Sequence, residues 1–171
     1  MMTRARLRSA AFSLSALLAC TAACAQQDEP GKDATAAESE VTLPAPPQKN
    51  HLLPFYVSPT ATMDFAIDAK SLSVSPEGIV RYTLVITSKA GASNVSYEGI
   101  RCSSAEKKLY ATGKSDGGWS ISRRDVWSPI WDVGANRQHA ALVKDYFCEG
   151  GSVAGKAETI IDRIRKQKPL K

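Results

Sequence analysis

Histidine is almost missing from this chain. Two occur in 171 residues, His51 and His139, and neither has another histidine, a cysteine or a carboxylate at a ligand spacing that recurs in metal sites. No metal centre is expected, and acid–base chemistry has little material. A Ser-His-Asp relay could draw only on His139 with Asp145 and one of several serines, and no G-x-S-x-G turn or comparable nucleophile setting occurs. We therefore expect no catalytic residue and no cofactor. A small hydrolase using His139 and Asp145 is the enzymatic alternative, although a histidine resting against core or polar backbone is the more usual arrangement. A phosphate-binding loop is missing too. Thr112-Gly113-Lys114-Ser115 imitates its end, but Lys108 stands where its first glycine belongs, and a strand entering a glycine turn explains the tetrapeptide.

Long apolar runs are also lacking. Ala10 to Ala19 holds Phe12, Leu14, Leu17 and Leu18, a run far shorter than the roughly 20 residues of a spanning helix. Preceded by Arg4, Arg6 and Arg8, it reads as an export signal over residues 1–25. Leu17-Leu18-Ala19-Cys20 places a small residue before cysteine, as bacterial lipoprotein processing requires, so a diacylglycerol on the Cys20 thiol is expected. Cys24, after Thr21-Ala22-Ala23, is a poorer lipidation site. Ordinary cleavage after Ala25 is the alternative and would discard both cysteines. Either route places the protein in the periplasm, and lipidation would hold it to the inner or outer membrane.

Of four cysteines, only Cys102 and Cys148 remain beyond this signal. They do not form a C-x-x-C pair, and in an oxidising compartment a structural disulfide is the expectation. Closing the 45 residues between them removes about 4 kcal/mol of unfolded-state entropy in the chain-entropy description.

Residues 26–50 are poor in bulky side chains. They carry Asp28, Glu29, Asp33, Glu38 and Glu40 against Lys32 and Lys49, with four prolines, and are expected to form a disordered acidic linker. Residues 51–171 then make a single domain, with 17 Lys and Arg against 12 Asp and Glu. That excess is modest, and export makes nucleic acid an improbable partner. A membrane, reached through a lipid anchor, and an envelope protein or ligand are the partners to expect.

The remainder reads as an α+β fold: a small antiparallel sheet of about four to five strands, covered by two C-terminal helices and braced by one disulfide. Met63 to Asp68 alternates apolar and polar residues. Ile79 to Thr87 is rich in β-branched residues, Asn94 to Cys102 reads as a third strand with Gly99 marking a bulge, and Lys107 to Thr112 as a fourth. Asn136 caps an expected helix through Phe147, stopped by Gly150-Gly151 and tied by Cys148 to the strand ending at Cys102. Ala157, Ile160, Ile161 and Ile164 form the single apolar stripe of the second helix, with Arg163, Arg165 and Lys166 facing water.

Trp119, Trp127 and Trp131 lie close together with Arg123 and Arg124, in a stretch without a clear period. Tryptophans can stack on sugars or cations, and arginines beside them can grip carboxylates or phosphates. These five residues are the candidate ligand surface. The plainer account is that they cover the core under an irregular connection.

Several ordered segments, among them Leu52-Leu53-Pro54-Phe55, Gly78-Ile79-Val80-Arg81-Tyr82-Thr83-Leu84-Val85, Asn94-Val95-Ser96-Tyr97-Glu98-Gly99-Ile100-Arg101-Cys102 and Asp145-Tyr146-Phe147-Cys148, resemble the cryptic neisserial protein (CNP1-like) family over roughly residues 50–150. The resemblance implies an exported protein of Gram-negative bacteria and assigns an activity to no residue. The expected function is thus a non-enzymatic periplasmic domain that binds an envelope component or protein partner, with a purely structural envelope role as a further alternative.

Overall fold

β-Branched and aromatic residues crowd the middle of the chain. In the computed structural model, which describes residues 38–134 and 137–170, they build one antiparallel meander. Its strands follow in order: β1 (Leu52–Pro54), β2 (Met63–Val74), β3 (Ile79–Ser88), β4 (Ser93–Arg101), β5 (Glu106–Gly113) and β6 (Trp119–Ile121). A seventh strand, β7 (Ser128–Pro129), also pairs with β5. The four long strands lie where alternation and β-propensity place them. The count exceeds the expected four to five because β1, β6 and β7 are two or three residues long, too short to show a period.

β2 runs past Asp68 to Val74, with a register shift against β3 between Asp68 and Ser73. The bulge expected at Gly99 lies on the neighbouring strand instead. Tyr97 faces Ala111 and Glu98 faces Leu109, so Tyr110 is the inserted residue.

Two helical segments follow. α1 (Arg137–Ala141) continues directly into a π-helical stretch, Leu142–Phe147, and α2 spans Ala157–Arg165. The expected cap Asn136 lies outside the described residues. Gly150-Gly151 does more than end a helix. With φ of +57° and +79°, the pair turns a hairpin between β8 (Cys148–Glu149) and β9 (Ser152–Val153), the left-handed pair that a two-residue turn demands. Cys102 and Cys148 are joined, with Cα atoms 5.5 Å apart, tying the end of β4 to the end of the helical segment as expected.

Ile160 and Ile164 are fully buried, and Ala157 and Ile161 pack beside them. They meet Tyr82, Leu84, Ile100, Leu142 and Phe147 on one face of the sheet. Arg163 does not face water as its position on the helix suggested. Its guanidinium donates to the carbonyls of Tyr146 at 2.7 Å and Ala154 at 2.9 Å, satisfying two acceptors in the irregular chain between the helices.

From Ile79 to Val85, β3 is buried on both faces, which a sheet with one wet face would not allow. The second cover is the segment 38–48, the described part of the expected linker. It has no regular secondary structure, yet Val41 and Leu43 pack with Trp119 against Tyr97, Tyr110 and Ala111. Trp119 Nε1 donates to the Pro44 carbonyl at 2.8 Å. Over this stretch the expectation of disorder does not hold, because a few apolar side chains find an aromatic shelf that no composition count includes. Residues 26–37, like the signal segment with Cys20 and Cys24, lie outside the described residues.

Candidate functional site

Sheet register sets Arg81 on β3, Gly99 on β4 and Lys108 on β5 side by side. Two cations thus flank a residue with no side chain, and the bulge delivers Tyr110 over the gap. A Cβ at Gly99 would meet Tyr110 Oη at 2.6 Å and Ile79 Cγ2 at 3.1 Å. Gly99→Ala should therefore lift the ring and lower stability by about 1–3 kcal/mol, read as a lowered urea midpoint. An unchanged midpoint would mean that the ring does not need the gap.

Into this cradle comes a carboxylate from the N-terminal segment. Glu38 accepts a short hydrogen bond from Tyr110 Oη, a second from Lys108 Nζ at 2.9 Å and a third from Arg81 Nη2 at 3.3 Å. Arg81 also donates to Glu77 at 2.9 Å and to the Ser39 carbonyl at 3.0 Å. Ser39 returns to Glu77 through its amide at 3.0 Å and its hydroxyl at 2.8 Å. Lys108 further contacts the exposed Asp125. Tyr110 lies between the Arg81 and Lys108 cations, 5.8 and 5.5 Å from its ring centre, where ring quadrupole and positive charge attract.

Burial pushes the Glu38 carboxyl up, but the hydrogen bonds from Tyr110 and Lys108 and the Lys108 charge more than reverse this and leave it lowered. Burial opposes ionisation of Glu77 as well; its own backbone amide and Ser39 outweigh that and hold it at about 2. Both carboxyls are depressed in the folded state, so their contribution is complete above the ordinary value of 4.5 and is lost as pH falls towards about 2. A urea midpoint followed through that acid window should decline, and Glu77→Gln should flatten the decline. The same slope in the variant would remove Glu77 from the account.

Beside the cradle, between the N-terminal segment and the β5–β6 edge, runs an open groove of about 500 Å³. Val41 and Leu43 form one wall, and Leu109, Ile121, Arg124 and Asp125 the other. Leu109 is 36% and Ile121 66% exposed. Apolar floor and charged rim together are what a small binding surface needs.

The five residues of the expected tryptophan–arginine surface stand in different surroundings. Trp119 belongs to the packing beneath the N-terminal segment. Trp127 lies under the Arg101 guanidinium, 4.1 Å from its ring centre, and Trp131 is 63% exposed. Arg123 and Arg124 are exposed, and of the five residues only Arg124 lines the groove. Sequence reading missed Glu38, Arg81, Lys108 and Tyr110: register sets Arg81 on β3 near Lys108 and Tyr110 on β5, and Glu38 reaches them from a segment outside the sheet.

The hydrolase pairing is not formed. His139 is 2% exposed, and its Nε2 meets Glu98 Oε2 at 2.6 Å rather than Asp145. Tyr82 Oη donates to the same Glu98 oxygen at 3.1 Å, and Ser96 Oγ to the other at 2.7 Å. Burial drives Glu98 up, but the bond and charge of His139 reverse this and leave it lowered. Asp145 is raised by its own burial. The Glu98–His139 pair pins α1 to the sheet on the face away from the groove. No group of three metal-ligating side chains occurs among the described residues.

The CNP1-like family matches over residues 31–165. Cryptic neisserial protein 1 of Neisseria gonorrhoeae (strain ATCC 700825 / FA 1090) is 27% identical over 113 residues, covering 59% of this chain and 55% of that protein. The chain thus spans about half the length of this curated relative. No solved structure matches.

Proposed function

The chain belongs to the CNP1-like family, and from that premise we propose that it is a non-enzymatic binding domain of the periplasm, held to a membrane through lipid on Cys20, which offers the β5–β6 groove to a protein or other component of the envelope. The groove carries this reading. It is open and keeps Leu109 and Ile121 accessible beside charged groups. Location rests on other support: the arginine-led export signal, the small residue before Cys20 and a disulfide suited to an oxidising compartment.

Two experiments test the two halves. The unreduced intact mass of protein from its native envelope should carry a lipid increment at Cys20; a chain beginning at Gln26 would make the domain soluble. A photo-crosslinking residue at Ile121 or Arg124 should give one defined adduct in native envelopes, while the same residue at Lys89, in the distant β3–β4 turn, should give none. If position 121 captures nothing that position 89 does not, the binding reading falls and a structural envelope role takes its place.

A further inference from the structure

We propose that the Arg81–Lys108–Tyr110 cradle is a carboxylate receptor, occupied in cis by Glu38, and that its ligand in trans is an acidic segment of a protein partner lying in the adjoining groove. This rests on the binding role proposed for that groove and specifies what it recognises.

Four observations carry it. The receptor does not depend on Glu38 for its shape: Arg81 is held by Glu77 and Lys108 by Asp125, and Tyr110 packs 5.6 Å from Tyr97 between ring centres. Because Gly99 has no side chain, the Tyr110 hydroxyl can lie low between the two cations, where it donates to a carboxylate. Its donors are not fully used, since Arg81 is only 7% exposed and its Nε has no partner among the described residues. Its present occupant is carried by a segment without regular secondary structure. That segment is held by a few side-chain contacts and can be lifted without breaking a ladder of backbone bonds.

Charge favours the same occupant. With Glu38 withdrawn, Arg81 and Lys108 face Glu77 and Asp125, and the Asp125 side chain is 84% exposed, where its charge is well screened. A carboxylate entering from the groove would regain the Tyr110, Lys108 and Arg81 donors together. Arg124 on the groove wall supplies a further cation for a neighbouring acidic residue. A neutral amide could not replace the lost charge, so the receptor should discriminate glutamate from glutamine. The intramolecular carboxylate competes at the high effective concentration typical of a short connection, so the wild-type protein should bind weakly and a protein lacking the Glu38 charge more tightly.

The test uses the full chain and an acetylated, amidated hexapeptide of alternating glutamate and alanine, with its glutamine counterpart as control, titrated at low salt. Glu38→Gln should bind the glutamate peptide at least tenfold more tightly than wild type. Adding Lys108→Met should remove the gain, and the glutamine peptide should bind neither protein. Equal affinity of wild type and Glu38→Gln, or equal affinity for the two peptides, would overturn the proposal. A second readout needs no variant: at saturating glutamate peptide, the amides of residues 39–43 of the wild-type protein should exchange hydrogen faster, because the segment is displaced. Binding without that acceleration places the peptide elsewhere and also overturns it. If the crosslink at Ile121 persists while these tests fail, the groove still binds but not through the cradle; if the crosslink fails as well, the binding role itself is lost.

Discussion

Replacing His139 with leucine lowers stability by about 1–3 kcal/mol near neutral pH, the usual consequence of taking one hydrogen-bond partner from a buried polar group. Leucine fills much of the ring's space, but Glu98 then keeps only Tyr82 and Ser96 as donors while enclosed by core. The pH dependence separates this cause from simple packing loss. In the wild type Glu98 is held below its ordinary value of 4.5, so its contribution is complete above that value and is lost as pH falls through the folded one. Without His139, burial is opposed chiefly by Ser96 and the Lys107 charge and the carboxyl rises, so the variant regains stability on acidification. The gap between the two proteins should narrow as pH falls. Urea unfolding at a series of pH values measures it, and a gap that is constant with pH would assign the loss to packing. A double change, His139→Leu with Glu98→Leu, should recover much of the loss, because it removes the stranded charge as well.

Opening the Cys102–Cys148 bridge is the other large effect. The bridge spans 46 residues of sequence, for which the chain-entropy description gives about 4 kcal/mol, a substantial part of the 5–15 kcal/mol that ordinary domains possess. Cys102→Ser with Cys148→Ser should lower the thermal midpoint by about 10–20 °C. A midpoint within a degree or two of wild type would mean that the unfolded chain is already restrained over this loop. The two effects should not add. The bridge holds the helical segment that carries His139 near the end of the strand that carries Glu98, so the combined variant should differ from the sum of the singles.

Long strands and the α2 stripe are legible in the sequence because each depends on a local period that burial on one face imposes. Ile160 and Ile164 announce their partners' side without naming them. Arg163 misleads, because its helical position suggests solvent while the turn beneath it presents two carbonyls. β6 and β7 are too short to show alternation, and β8–β9 is signalled only by Gly150-Gly151, a pair that also ends helices. The cradle was not legible at all. Arg81, Gly99 and Lys108 are neighbours through register, a one-residue bulge aims Tyr110, and Glu38 sits in a stretch whose composition, averaged over 26–50, hides two well-placed apolar residues, Val41 and Leu43. Trp119 follows the plainer account of the tryptophans, covering core under an irregular connection, with its indole N–H holding the Pro44 carbonyl.

The segment 38–48 has a mechanical consequence. A strand pulled along its length resists with all its ladder bonds at once, as a shear joint does. This segment has no ladder, and its attachments follow one another along the chain: Glu38 in its cradle, Ser39 on Glu77, Val41 and Leu43 on the aromatic shelf, then the Pro44 carbonyl on Trp119. Tension arriving from the N-terminal side loads them in that sequence, like tape peeled from one end, and the force stays low because only one attachment bears it at a time. Glu38 is the first to let go, and β1 is reached only after the others have parted.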